Sequence, residues 1–122
     1  MNNIILLVED DPFLIDIYTT KLKEVGYNVQ VAQDGEEAMS KIKEYKPDLV
    51  LLDIVLPTVN GWEILKRVKK DEELSGVRIV ILSNLAEKEE VERGINAGAI
   101  KYLVKAHYTP TEVVAEIRKI IG

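Results

Sequence analysis

The sequence predicts an α/β fold, a three-layer α/β/α sandwich in which helices cover both faces of a five-stranded parallel sheet. Short runs of apolar residues, typical of strands, alternate along the chain with segments whose apolar residues recur at helical spacing. The runs are apolar along their whole length, which is typical of strands buried on both faces. Because helices separate the strands, the strands are expected to pair in parallel through right-handed crossovers.

Five strands and five helices are predicted in alternation. The strands are residues 4–8, 29–31, 49–52, 79–82 and 102–104, and the apolar stripes of the helices lie within 14–25, 38–45, 64–68, 91–95 and 113–121. Asp11 before Pro12 predicts an N-cap for the first helix, and Gly98 predicts the end of the fourth. Thr109 and Glu112 predict a capping box for the last.

Composition limits the function classes. A length of 122 residues suits a single domain covering residues 1–122. With 21 acidic and 16 basic residues the net charge is −5, which disfavours direct binding to nucleic acid. The chain has no cysteine, so disulfides and thiolate metal sites are excluded. No apolar run approaches the ~20 residues that cross a bilayer, and no secretory signal is evident, so we expect a cytoplasmic protein without membrane contact.

Residues able to support chemistry follow four of the predicted strands. Glu9 and Asp10 follow the first strand, Asp53 the third, Ser83 the fourth and Lys105 the fifth. The carboxyl ends of parallel strands form the ligand crevice of such a sheet. Clustered carboxylates repel one another, a divalent cation relieves the repulsion, and oxygen-only ligands favour Mg²⁺. With the cation bound, the crevice would accept a phosphoryl group between Lys105 and the Ser83 hydroxyl.

Four segments together resemble the receiver domains of bacterial two-component response regulators. They are Val8 to Pro12, Asp53 to Pro57 with Asn60-Gly61, Leu82-Ser83, and Tyr102 to Lys105. The resemblance extends from about Ile4 to Ile121. It implies a flavodoxin-like (βα)5 fold with strand order 2-1-3-4-5, and a phospho-accepting signalling switch rather than an enzyme. Such a regulator assists its own phosphorylation and its slow dephosphorylation.

The resemblance also implies the residues of a phosphorylation site. Asp53 would be the nucleophile that takes the phosphoryl group from the phosphohistidine of a sensor histidine kinase or a histidine phosphotransfer protein. Asp10 and Asp53 would bind Mg²⁺ directly, and Glu9 would act through a metal-bound water. The backbone carbonyl of Val55 would supply a further oxygen.

A switch and an output surface are implied as well. Lys105 and Ser83 would contact the phosphoryl group, and Tyr102 would turn inward when Ser83 moves toward it. This shift would change the surface of helix four, strand five and helix five for a partner. The partner would be a downstream protein, if the chain is a stand-alone regulator, or a removed output domain. A monomer or a phosphorylation-dependent dimer is expected.

Three departures from the family pattern have expected consequences. Ala106 follows Lys105 where the family usually has a proline with a cis bond, so we expect a trans bond and a different loop. Asn84 stands where a small residue is favoured, and would restrict phosphoryl access or the inward path of Tyr102. Val55 and Leu85 are apolar where rapidly hydrolysing regulators have polar residues, so slow dephosphorylation is expected.

Other interpretations of the sequence stay open. An aspartate-nucleophile phosphatase needs a second acid two residues after the nucleophile, where this chain has Val55. A flavodoxin-like binding module needs a phosphate-cradling first loop, and the acidic residues 9–11 have the wrong charge. A receiver that is never phosphorylated is disfavoured because every acidic and cationic position is filled. Ser83, Lys105 and Tyr102 also have purely structural explanations, as a strand-end cap, an edge-strand charge and a packing residue.

Overall fold

Strands and helices alternate along the whole described chain. The structure, a computed structural model, describes residues 3–122, so Met1 and Asn2 of the predicted domain lie outside the described residues. The elements are β1 (Ile4–Val8), α1 (Pro12–Glu24), β2 (Asn28–Ala32), α2 (Gly35–Tyr45), β3 (Leu49–Leu52), α3 (Gly61–Lys70), β4 (Arg78–Ser83), α4 (Lys88–Asn96), β5 (Lys101–Val104) and α5 (Pro110–Ile121). Short 3₁₀ helices span Glu72–Leu74 and Lys105–His107. Within residues 3–122, no helix combines the length and the apolar character that crossing a bilayer requires.

The five strands form one parallel sheet in the order β2-β1-β3-β4-β5. This confirms the predicted fold class and strand order. Strands β2, β4 and β5 extend by a residue or two beyond their predicted apolar runs, because polar residues such as Asn28, Arg78 and Lys101 still pair with the neighbouring strand. The order reverses between β1 and β3, where Val8 pairs with Leu52. The residues that follow these two strands therefore emerge side by side.

The sheet separates two apolar cores. Leu6 and Val8 of β1 face one core, and Ile5 and Leu7 face the other. Helices α2 and α3 cover the first core, and α1 and α5 cover the second. Alternate residues of a strand point to opposite faces, so a strand covered on both faces needs an uninterrupted apolar run. This is the reason why β1 is apolar along its whole length.

The predicted helix ends are confirmed. The Asp11 side chain accepts hydrogen bonds from the backbone N–H groups of Phe13 and Leu14 and caps α1, and α5 begins with the predicted capping box. Gly98, just after α4, has a φ of +111°, a left-handed conformation that suits glycine. Within residues 3–122 all peptide bonds are trans, including the bond before Ala106 as expected, and Lys105–His107 form a 3₁₀ turn.

The loop after β3 is fixed to the start of α2. The backbone N–H of Gly35 donates to the carbonyl of Pro57 over 3.0 Å. The Thr58 hydroxyl accepts from the backbone N–H of Glu36 and donates to the Asp34 carboxylate. Thr58 adopts a φ of +64°, which is unfavourable for a β-branched residue. The two side-chain hydrogen bonds hold the loop in this conformation next to the carboxyl end of β3.

Gly35→Ala should lower the free energy of unfolding by at least about 2 kcal/mol, because a Cβ there would lie 1.8 Å from the carbonyl oxygen of Val59. Backbone atoms cannot move aside as a side-chain end can. Gly76→Ala is the matched control, since its Cβ would meet no atom within 4 Å. Urea denaturation of both variants measures the difference. Equal stability of the two variants would show that the loop after β3 moves away from the new Cβ at no measurable cost in stability.

Candidate functional site

An open cleft with a volume of about 340 Å³ lies at the carboxyl ends of the strands. It includes every residue for which a site role was predicted except Tyr102. The lining residues are Glu9, Asp10, Asp11, Leu14, Asp53, Val55, Ser83, Asn84, Leu85 and Lys105. The parallel sheet therefore brings together residues that are up to 96 positions apart in the sequence. Asp11 is part of this cleft, although its carboxylate is engaged in capping α1.

Three carboxylates meet in the cleft. Glu9, Asp10 and Asp53 each offer an oxygen, and these oxygens lie within 4.8 Å of one another. Glu9 and Asp53 are only 2% and 7% exposed, whereas Asp10 is exposed. Backbone hydrogen bonds place the buried pair, since the N–H of Glu9 donates to Ala32 and the N–H of Asp53 donates to Val8. Both continue the strand ladders beyond the ends of β1 and β3.

Backbone N–H groups also orient the buried carboxylates. Oε2 of Glu9 accepts from the N–H groups of Asp10 and Asp11 at 3.1 and 3.2 Å. Oδ1 of Asp53 accepts from the N–H of Val55 at 3.3 Å. Each carboxylate therefore has one oxygen engaged by the adjacent loop and its other oxygen directed elsewhere.

Lys105 pairs with both remaining oxygens. Its Nζ lies 2.6 Å from Oε1 of Glu9 and 2.7 Å from Oδ2 of Asp53, and its side chain is only 11% exposed. Buried charges are tolerated when they are paired and hydrogen-bonded, as here. Because one ammonium group faces three carboxylates, the cleft keeps a negative charge. This surplus charge favours a cation and repels a free phosphate.

Burial and ion pairing shift the pKa values of two groups in the cleft. Burial raises the pKa of the Glu9 carboxyl, and its bonds to Lys105 offset the effect only in part. Burial by itself would lower the pKa of Lys105, but its hydrogen bonds to Asp53 and Glu9 outweigh burial and hold that pKa above its usual value. Lys105 therefore stays charged, and Glu9 takes up a proton more readily than an exposed glutamate does.

A second group of contacts lies behind the cleft. The buried Ser83 accepts a hydrogen bond from the backbone N–H of Leu85, and the Tyr102 hydroxyl donates to the carbonyl of Leu85 at 2.6 Å. Burial raises the pKa of Tyr102, and the nearby Ser83 hydroxyl opposes the rise. The structure thus places Ser83 and Tyr102 around one loop residue. The switch role of Tyr102 stays a prediction.

Val55, Leu85 and Asn84, which depart from the family pattern, all line the cleft. Val55 is 64% exposed, and Leu85 packs partly against the core that lies beneath α2 and α3. Asn84 is exposed. Their predicted effects on access and dephosphorylation stay predictions.

The sequence patterns did not reveal that two further residues, Tyr18 and Gly61, lie close to the site. Tyr18 of α1 is buried, and its pKa is raised by burial, with Lys105 opposing and the Glu9 carboxylate adding to the rise. It therefore lies within the field of the charge cluster, although its helical spacing indicated only core packing. Gly61 was noted as part of a motif, and a Cβ there would lie 2.6 Å from the carbonyl oxygen of Asp53. Glycine at 61 thus lets α3 begin directly against the strand end.

A five-stranded parallel sheet in the order 2-1-3-4-5, with three carboxylates and a lysine in its carboxyl-end cleft, defines the class of response-regulator receiver domains. The family model of the response regulator receiver domain matches residues 5–118. The chain therefore belongs to this family. Receiver domains are the phosphoacceptor switches of two-component response regulators and are not conventional enzymes.

The relatives agree with this membership. The chain is 38% identical to the DNA-binding response regulator MtrA of Mycolicibacterium smegmatis over 118 residues, which are 97% of this chain and 50% of MtrA. It is similar to the BeF3-activated N-terminal receiver domain of Klebsiella pneumoniae RstA, with 31% identity, a TM-score of 0.86, and 96% and 97% of the two chains covered. For the CheY-like receiver domain protein of Methanospirillum hungatei JF-1 the identity is 29%, the TM-score 0.89 and the coverage 98% and 94%.

The chain spans about half the length of the first curated relatives that it matches. MtrA is named as DNA-binding, so the expectation that this chain makes no direct contact with nucleic acid stays a prediction.

Lys105→Met should lower the free energy of unfolding by about 3 kcal/mol, because it leaves the buried carboxylates of Glu9 and Asp53 without their cation. Lys101→Met is the matched control, since Lys101 also pairs with a carboxylate, Glu116 at 2.9 Å, but is 40% exposed. The control should lose much less stability. Chemical denaturation in metal-free buffer measures both, and equal losses would show that burial adds nothing to the Lys105 pairs.

Proposed function

We propose that this chain is a phosphorylation switch in which Asp53 accepts the phosphoryl group in an Mg²⁺-dependent reaction. The donor is the phosphohistidine of a sensor histidine kinase or of a histidine phosphotransfer protein. The observation that supports the proposal most directly is the buried Asp53 carboxylate, 2.7 Å from the Lys105 ammonium group, in a cleft with surplus negative charge. We expect the protein to act in the cytoplasm.

The donor set of the cleft fits Mg²⁺. All candidate ligands are oxygens, and the three carboxylates lie close enough together to share one ion. Asp10 and Asp53 would hold the ion directly, with Glu9 acting through a water and Val55 through its backbone carbonyl. When bound, Mg²⁺ neutralises the surplus charge and so allows a phosphoryl group to approach. Exposed Asp10 would supply the solvent-facing side of such a site.

The chain's own residues would then perform the transfer. A carboxylate oxygen of Asp53 attacks phosphorus, the new P–O bond forms as the P–N bond to the donor imidazole breaks, and the imidazole leaves with the electron pair. Lys105, whose Nζ lies 2.7 Å from Oδ2 of Asp53, would contact the transferred phosphoryl oxygens. Ser83, buried at the end of β4, would donate its hydroxyl to another of these oxygens.

The output surface is α4, β5 and α5. In α4, which the structure describes in full, Gly94 is the buried residue, so little of this helix is buried in the core. A weakly held helix is the element that moves most easily when Ser83 and Tyr102 rearrange. The moved surface would be read by a downstream protein or an output domain, by the monomer or by a phosphorylation-dependent dimer. The net charge of −5 supports an output through protein contact rather than nucleic acid.

Asp53→Asn should abolish phosphorylation by acetyl phosphate, because the amide lacks the nucleophilic carboxylate. Removal of Mg²⁺ with EDTA should abolish it in the wild-type protein too. Asp11→Asn is the matched control, a carboxylate in the same cleft that caps α1 and whose role asparagine fills equally well. Intact-mass spectrometry measures the added phosphoryl group. Undiminished labelling of Asp53→Asn would refute the assignment of the acceptor.

The phosphorylated protein should be long-lived, with a lifetime of many minutes or longer. Hydrolysis needs a water held in line with the P–O bond, and the apolar side chains of Val55 and Leu85 at the cleft offer it no hydrogen bond. The double variant Val55→Asn, Leu85→Glu should release phosphate at least about tenfold faster, equivalent to ~1.4 kcal/mol of barrier. Val55→Ile with Leu85→Met serves as the apolar control. Equal release from the wild type and the polar double variant would show that water reaches Asp53 by another route.

A further inference from the structure

Gly94 lies in the interior of α4, where glycine weakens a helix relative to alanine. Its φ is not in the left-handed region, since within residues 3–122 the glycines with positive φ are Gly26, Gly98 and Gly122. Backbone conformation therefore does not explain glycine at this position. Gly94 is nevertheless the buried residue of α4, so the explanation lies in what it packs against.

The ring of Tyr102 occupies the space that a side chain at position 94 would need. A Cβ on Gly94 would lie 2.8 Å from Cδ2 of Tyr102 and 2.7 Å from Cδ1 of Ile81. The Ile81 atom is the end of a flexible side chain and can turn away. The Tyr102 ring is rigid, and its hydroxyl is fixed by the 2.6 Å hydrogen bond to the carbonyl of Leu85. The ring therefore cannot retreat from a Cβ without giving up this bond.

A contact between α4 and α3 opposes the alternative response, a lift of the helix. The guanidinium group of Arg93 stacks on the ring of Trp62 in α3, 4.1 Å from the ring centroid. Such a cation–π contact is favourable and would be lost if α4 moved away from α3. The response to a larger residue at 94 that keeps this contact is displacement of the Tyr102 ring.

We propose that Gly94 is a positioning residue that admits the Tyr102 ring beneath α4 and so makes the inward position of this aromatic side chain available. In the structure the ring lies against Gly94 with its hydroxyl on the Leu85 carbonyl, and the absence of a Cβ at 94 leaves room for it. A larger residue at 94 shifts the balance toward an outward Tyr102. The position of the ring follows from packing alone, and its consequence for signalling rests on the proposed function.

The first test uses the full chain without any phosphodonor. In wild-type protein, NMR should show NOEs from the Tyr102 ring protons to the α protons of Gly94 and to the Ile81 methyl group. Gly94→Ala should lose the NOEs from the ring to Ile81 and shift the backbone resonances of Leu85. Gly76→Ala, at a site with no atom within 4 Å of the new Cβ, should leave all of them in place. Retention of the ring contacts in Gly94→Ala would overturn the proposal.

The second test distinguishes the steric effect of the Tyr102 ring on a side chain at position 94 from the effect of alanine on helix propensity. Gly94→Ala should lower Tm in the parent protein and in the Tyr102→Phe background, which keeps the ring. In the Tyr102→Ala background the same substitution should raise Tm, because the obstacle is gone and alanine favours the helix. If Gly94→Ala does not fold, the double variant with Tyr102→Ala should recover folding. A rise of Tm in all three backgrounds, or a double variant that stays unfolded, would contradict the proposal.

Neither measurement involves phosphorylation. A failure of Asp53 labelling by acetyl phosphate would therefore refute the proposed function and leave the ring contacts as they are. If Asp53 is labelled normally but Gly94→Ala does not change from lowering Tm in the parent to raising Tm in the Tyr102→Ala background, only the role of Gly94 is refuted.

Discussion

The pairing of Lys105 with Glu9 and Asp53 is the interaction on which the site depends. Two carboxylates that are almost fully buried would be strongly destabilising without a cation, and the lysine satisfies one oxygen of each. It does not balance the third carboxylate, Asp10. The fold thus tolerates a negative cleft at some cost in stability, a compromise typical of functional sites. That surplus charge suits the site to a divalent cation.

The strand order determines which side chains can complete this cluster. β1 and β3 are adjacent, so the short side chains that follow them meet directly. Neighbouring strands lie about 4.8 Å apart, so a residue following β5 must reach across the end of β4 to contact Asp53. A lysine is long enough for this reach. Ser83, at the end of the intervening β4, is small enough to leave the path open.

The cleft and the α4 surface are joined by few contacts. In the loop after β4, the backbone N–H of Leu85 donates to the Ser83 hydroxyl and its carbonyl accepts from the Tyr102 hydroxyl, and α4 follows directly. Beyond this loop, Gly94 of α4 lies against Ile81 and Tyr102, and Arg93 stacks on Trp62. A rearrangement at Ser83 can therefore displace α4 at a low cost in free energy, because the core packing of α4 is slight.

The sequence by itself determined the alternation of strands and helices, the parallel sheet and the ends of helices such as those capped by Asp11 and Thr109. These features follow from local patterns of apolar, capping and turn residues. It also placed Glu9, Asp53, Ser83 and Lys105 at one edge, because strand ends imply it. The tertiary structure alone decided that Lys105 bridges two carboxylates and that the ring of Tyr102 fills the space beside Gly94. Both depend on distances between side chains far apart in sequence, which no local pattern contains.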